Sequence, residues 1–305
     1  MTRFFFDVDP ATAGDARLLA ILKAHCNLRR VGWLAGAWFI VLATPPALAD
    51  LMLFPTRVVF EKNQRAAQLE LINNGQESTT YRVHLVNRRM NETGEFTAAE
   101  PPLPGEQFAD ALLRYSPRQV VLAPGRGQTI RILLRKPADL PVGEYRSHLQ
   151  FDLVPEATGA SSIDAQGTKP GPGEVGVQLR ALVGVSIPVI VRHGETSATV
   201  TLTGLELPRP AAGQPAALAV VLERAGNRSV YGDLVATFTP QGGVPQEVGR
   251  AGGVAVYTPN ALRRARLELQ PPAGVVLARG TLRLSYRERA DTGGKLLAEA
   301  SIELP

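Results

Sequence analysis

The sequence has a single cysteine, Cys26, among its 305 residues, and only four histidines. One cysteine excludes a disulfide framework, a multi-cysteine zinc site and an iron–sulfur cluster. The histidines lie far apart in the sequence, without the spacing that metal ligands need. We therefore predict neither a metal site nor a cofactor.

Motifs of catalysis and of nucleotide or nucleic-acid binding are also scarce. No G-x-S-x-G elbow is present, and residues 171–176 match G-x-G-x-x-G only literally, because a loop precedes them and a strand pattern follows. The net charge of +5 is spread along the chain rather than clustered. We predict no enzymatic activity, no nucleic-acid partner and no small-molecule substrate. A hydrolase with dispersed Ser, His and Asp residues stays open as an alternative.

The first 49 residues carry the features of an export signal. Arg29 and Arg30 precede an apolar run over residues 31–44, and Ala47-Leu48-Ala49 then forms a small-residue cleavage site before Asp50. The run is shorter than the ~20 residues that a spanning anchor needs, which favours a cleaved signal over the alternative of a membrane anchor. We predict export with cleavage after Ala49.

The rest of the chain is patterned as short strands. The sequence contains 29 glycines and 24 prolines, and apolar residues recur at every second position between turn signals. A Gly/Pro-rich loop is predicted over residues 155–174, followed by the longest alternating run, Val175–Ile187. Residues 119–122 and 128–134 read as a hairpin. We predict an all-β protein with two β-sandwich domains, residues 50–193 and 194–305.

Five stretches, in order, have the pattern of one known family. They are Leu53–Phe60, Ser116–Arg131, Gly143–Pro155, Val175–Arg192 and Asp291–Gly294. With them the chain resembles the PapD-like periplasmic chaperones of the chaperone–usher pilus (fimbrial) assembly pathway. The resemblance implies two immunoglobulin-like sandwiches in a boomerang arrangement.

The same resemblance implies a function. The protein would bind a pilus subunit, stabilise it by donating a β-strand, and deliver it to an outer-membrane usher. The alternative is an exported accessory or structural binding protein with two sandwiches and no chaperone activity. The sequence also leaves self-association of the free protein open.

The resemblance assigns a binding site. Arg57 corresponds to the arginine that anchors the subunit's carboxylate. The donated residues would be the odd positions of the long strand: Val175, Val177, Leu179, Ala181, Val183 and Val185. Family members also carry a lysine near the end of that strand, where this sequence has Pro188. The anchor would therefore rest on Arg57 alone.

A second group is implied to be structural. Glu144, Arg192 and Asp291 correspond to an acid–base–acid cluster that holds the two domains of the family together. We expect the three side chains to meet where the sandwiches join.

Overall fold

The computed structural model describes residues 51–155, 184–211 and 213–305. Residues 49–305 form one compact unit. Apart from two single turns of 3₁₀ helix, Asp110–Leu112 and Ala290–Thr292, the regular structure of these residues is β-strand. No helix in the described part of the chain is long and apolar enough to span a membrane.

The first sandwich packs a four-stranded sheet against a five-stranded sheet. In spatial order, the smaller sheet contains β1 (Leu51–Phe54), β3 (Ala66–Asn73), β9 (Gly127–Leu134) and β7 (Leu113–Ser116). The larger sheet contains β2 (Val58–Phe60), β11 (Val185–His193), β10 (Gly143–Val154), β4 (Thr79–Val86) and β8 (Gln119–Leu122). Because successive strand residues point to opposite faces, alternate apolar residues such as Leu69, Leu71 and Phe151 form the core.

The second sandwich has three strands facing four. One sheet contains β12 (Ala198–Glu206), β13 (Ala217–Gly226) and β16 (Leu262–Glu268). The other contains β15 (Gln246–Val256), β14 (Val230–Pro240), β17 (Gly280–Arg287) and β18 (Leu296–Leu304). Phe238, Leu282 and Tyr286 lie fully buried between the sheets. The chain therefore builds a second core, separate from the first.

A small hairpin lies outside both sandwiches. Strands β5 (Arg88–Met90) and β6 (Phe96–Ala98) pair with each other alone, and we call residues 88–98 the junction hairpin. It is bonded to the second sandwich, since Asn260 Nδ2 donates to the Met90 carbonyl at 2.7 Å. Its turn uses Gly94 in the left-handed region, with φ of +91°, where an added Cβ would collide with the Arg263 guanidinium.

The hairpin predicted from residues 119–134 is wrong. β8 pairs with β4 in one sheet and β9 pairs with β3 in the other, so the turn between them crosses the sandwich. The buried Asn73 fixes this crossing, because its carbonyl accepts from Gly125 N at 2.8 Å and its N–H donates to the Arg126 carbonyl at 3.1 Å. A Pro-Gly turn between two alternating runs is compatible with a hairpin and with a connection that crosses from one sheet to the other.

The two-sandwich, all-β prediction is confirmed. The predicted strands overlap observed ones wherever the structure describes the chain, and β1, β5, β6, β7 and β12 were not predicted. The predicted boundary at residue 194 falls between β11 and β12 and stays a prediction, as does the boomerang arrangement. The export signal and nearly all of the 155–174 loop lie outside the described residues.

Candidate functional site

Strand β11 has two neighbours over part of its length and one over the rest. β10 pairs with it antiparallel, from Phe151 opposite Val185 to Gly143 opposite His193. β2 pairs with it in parallel, but only from Val58 opposite Val189 onward. Within the described residues, Val185–Pro188 therefore lacks a strand on the β2 side. We call these four residues the open segment.

The odd positions of β11 change their surroundings along the strand. Ile187, Val189 and Val191 are buried in the core of the first sandwich, whereas Val185 is 38% exposed. The donated face predicted from the sequence thus continues into core packing at Ile187. Val175, Val177, Leu179, Ala181 and Val183 lie outside the described residues.

Arg57 lies where the open segment meets β2. Its guanidinium donates to the Tyr257 hydroxyl at 3.0 Å and to Ser229 Oγ at 3.3 Å, both in the second sandwich. The Cζ atom also lies 4.4 Å from the centroid of the Tyr231 ring. Among the described residues, no carboxylate is within ion-pair distance of Arg57. Its positive charge is therefore stabilised by hydroxyl oxygens and aromatic rings rather than by a carboxylate.

The buried Glu144 and the partly buried Arg192 form an ion pair that reaches the second sandwich. Arg192 Nε donates to Glu144 Oε2 at 3.0 Å, and the backbone N–H of Ser229 donates to Glu144 Oε1 at 3.1 Å. Arg192 also pairs with Glu61. This carboxylate therefore joins β10, β11 and the second sandwich.

The expectation that Asp291 completes this group is wrong. Asp291 is 71% exposed and pairs with Arg289 at 3.5 Å, in the 3₁₀ turn between β17 and β18. Glu61 supplies the second carboxylate instead. It directly follows β2, whose parallel register places Phe60 opposite Val191 and so brings Glu61 beside Arg192.

The polar face of β10 is covered rather than solvated. Its even residues Glu144, Arg146 and His148 are all buried, although the opposite face of the strand already packs into the first core. In the register, Arg146 lies opposite Ile190, and Ile190 lies opposite Val59 of β2. Since facing residues of paired strands share one side of a sheet, these residues and Arg57 form a single surface. We call it the junction face.

Aromatic residues from outside the sheet cover the junction face. The Arg146 guanidinium lies 4.1 Å from the Tyr257 ring centroid, and the His148 ring meets Phe96 of the junction hairpin edge-on at 5.1 Å. Burial lowers the pKa of Arg146 below its ordinary value. Burial, helped by the nearby positive charges of Arg146, Arg88 and Arg57, lowers the pKa of His148 to about 3. The imidazole is therefore neutral at physiological pH.

Several residues of the junction face were not identified from the sequence. They are Glu61 and Arg146 on the face itself, and Ser229, Tyr231 and Tyr257, which contact it from the second sandwich. The sequence shows that the even positions of β10 are polar. Such alternation ordinarily indicates a face exposed to solvent, and nothing in the sequence indicates that other residues cover this face.

One cavity adjoins the predicted site: it has a volume of about 420 Å³ and is lined by Glu61, Arg192 and Arg228, among others. Another cavity, of about 790 Å³, is lined mainly by β13, β15 and β16 of the second sandwich, with Thr93 of the junction hairpin, and contains none of the predicted site residues. Within the part of the chain that the structure describes, no three His, Cys, Asp or Glu side chains converge as metal ligands would.

No protein-family model matches the chain, and no curated protein matches it. Its fold is similar to the solved structure of the YadV chaperone, at 12% identity over 84% of this chain and 100% of that one, with a TM-score of 0.42.

Two further solved structures are similar at the same level. The Pseudomonas aeruginosa CupB2 chaperone has 15% identity over 83% of this chain and 100% of its own, with a TM-score of 0.41. The complex of Salmonella enterica SafA pilin with the SafB chaperone has 16% identity over 84% of this chain and 97% of the matched one, with a TM-score of 0.39. Chaperones thus recur among the similar structures.

Proposed function

We propose that this protein is a periplasmic chaperone of the PapD-like type, without enzymatic activity. It binds a pilus subunit, stabilises it by lending the alternating strand that ends in β11, and delivers it to an outer-membrane usher. The observation that carries the proposal is the position of Arg57 at one end of the open segment.

The geometry supports one arrangement for a partner strand. A strand that extends the sheet along the open segment must lie in line with β2, because β2 occupies the same side of β11 from Val189 onward. If that strand runs parallel to β11, its carboxyl end arrives where β2 begins. Arg57 immediately precedes Val58 there. The partner's terminal carboxylate would therefore meet the Arg57 guanidinium.

Several interactions would stabilise the bound partner strand. Backbone hydrogen bonds along the open edge supply affinity, and alternate side chains fill a groove on the partner. Each Val or Leu that becomes fully buried stabilises the complex by roughly 1.5–3 kcal/mol. The carboxylate–guanidinium bond is charge-assisted and stronger than a neutral hydrogen bond. The partner's own unpaired edge, an aggregation hazard, is covered at the same time.

Two substitutions test the binding site together. We expect Leu179→Glu to fold normally and to reduce capture of a pilin-type subunit that lacks its last strand by ~100-fold or more, because a charge enters a dry groove. Arg57→Ala should weaken capture by roughly 10- to 100-fold through loss of the charged bond. Co-purification of the co-expressed subunit measures both effects.

The matched control is Gln178→Glu, which adds the same charge one residue away on the other face of the strand and should leave capture intact. If Leu179→Glu unfolds the isolated protein, the odd positions are core and the assignment of the donated strand is wrong. Normal capture by both test variants would mean that the chain holds subunits through some other contact. Absence of capture by the wild-type protein would favour the alternative, an exported accessory protein.

Export has its own test. N-terminal sequencing of periplasmic material should begin at Asp50, because cleavage follows the small residues Ala47 and Ala49. Recovery of a chain that retains residues 31–44 in the membrane fraction would contradict the cleaved signal and favour an anchor.

A further inference from the structure

Arg146 is a buried cation with unused hydrogen-bond donors. Arg146 is only 5% exposed, and its Nε and Nη1 atoms have no hydrogen-bond partner in the structure. Nη2 donates to the Arg88 carbonyl at 3.3 Å. No carboxylate within the described residues is at ion-pair distance from it. Unpaired buried charges are costly, so a retained one needs a specific explanation.

Arg146 and Arg57 lie against the same aromatic ring. Their Cζ atoms are 4.1 Å and 5.3 Å from the centroid of Tyr257. The ring attracts both cations. Neither guanidinium has a carboxylate at ion-pair distance, although Glu144 and Glu106 lie near enough to Arg146 to favour its charge. Two neighbouring positive charges that repel each other form a site for an anion, and two planar guanidiniums suit the planar oxygens of a carboxylate.

The cover over Arg146 is thin. Phe96 of the junction hairpin lies 5.7 Å from the Arg146 Cζ and 5.9 Å from the Tyr257 ring, and it is itself 39% exposed. Its strand β6 has three residues and a single partner strand, β5, of the same length. The three residues of β6 are all exposed, whereas β5 is bonded to the second sandwich, so Phe96 is the part of the cover that is displaced most easily.

We infer that Arg146 is the second cation of the carboxylate site that begins at Arg57, and that Phe96 covers it in the free protein. The ligand class is the terminal carboxylate of an extended peptide, and this identification rests on the proposed function. Pro188 of β11 stands where the family has a lysine. Arg146 lies on the neighbouring strand β10, opposite Ile190, and would supply the positive charge that the lysine supplies in the family.

A small carboxylate tests the site without a subunit. N-acetylvaline is titrated into the exported chain labelled with ¹⁵N at arginine Nε, and N-acetylvaline amide serves as the uncharged control. We expect the Nε–H resonances of Arg57 and Arg146 to shift together with one Kd, and the amide to shift neither. Phe96→Ala should lower that Kd, because it removes the cover.

Substitution of Arg146 separates a binding role from a structural one. Arg146→Met should raise the Kd by ~10-fold or more, with no loss of thermal stability, because it removes an unpaired buried charge. Arg146→Lys should restore part of the affinity through its charge alone. If Arg146→Met does not fold, the titration of the wild-type protein with N-acetylvaline still tests the inference. Movement of the Arg57 resonance alone, or equal shifts with the amide, would overturn the inference.

The outcome is distinguishable from failure of the proposed function. If the wild-type protein and Arg146→Met capture a subunit equally well, the chaperone function stands and only the role of Arg146 is wrong. If no subunit is captured but N-acetylvaline shifts both arginine resonances, the carboxylate site stands and the chaperone function is wrong.

Discussion

Replacing Glu144 with alanine should lower the free energy of unfolding by about 3–5 kcal/mol. The Glu144 side chain is fully buried and accepts hydrogen bonds from Arg192 Nε and from the backbone N–H of Ser229. Its removal leaves the Ser229 N–H without its acceptor and the Arg192 guanidinium with one carboxylate instead of two. Equilibrium unfolding in urea, followed by circular dichroism, measures the loss.

Glu61 provides the matched control, because it pairs with the same arginine from a side chain that is 49% exposed. Glu61→Ala should cost no more than about 1 kcal/mol, as exposed ion pairs do. Glu144→Gln keeps one acceptor oxygen without the charge and should fall between the two alanine variants. Equal losses for Glu61→Ala and Glu144→Ala would show that burial does not set the strength of this cluster.

Acid should destabilise the protein through His148, by up to about 4–5 kcal/mol between pH 6.5 and pH 3. Burial and neighbouring arginines lower the pKa of His148 to about 3 in the folded protein. An unfolded chain has a histidine pKa of about 6.5 and takes up the proton first. The contribution is therefore fully present above pH 6.5 and is lost as the pH falls towards 3.

The test compares urea unfolding of the wild-type protein and of His148→Gln at a series of pH values. Subtracting the two curves removes the carboxylates, which titrate in both proteins. We expect the variant to lose the steep acid dependence, and the control His193→Gln at the end of β11 to keep it. An unchanged pH dependence in His148→Gln would mean that His148 is not the group responsible.

The strands were predictable because alternating burial requires alternating apolar and polar residues, which are visible in the sequence. Residues 67–72 and 145–154 alternate, and both form strands, β3 and β10. The path of the chain between strands was less predictable. Pro124-Gly125 marks a turn, but whether the turn closes a hairpin or crosses the sandwich is decided by Asn73, some fifty residues earlier.

The candidate site was predictable only in part, for a related reason. Arg57, Glu144 and Arg192 were identified through the family resemblance, and the structure places them on one face. Tyr231 and Tyr257 reach that face from the second sandwich. A pattern within one strand does not contain that information, since the packing partner lies more than 170 residues away along the chain.

The position of Val189–Val191 between β2 and β10 also gives β11 a mechanical property. Tension applied lengthwise to the Val185 end loads the hydrogen bonds on both sides of these three residues together, in shear. A strand added along the open segment would be attached on one side only, so a force directed across the sheet could peel it away bond by bond. β11, bonded on both sides over Val189–Val191, would hold under that force. A guest could therefore be exchanged stepwise without unfolding its host.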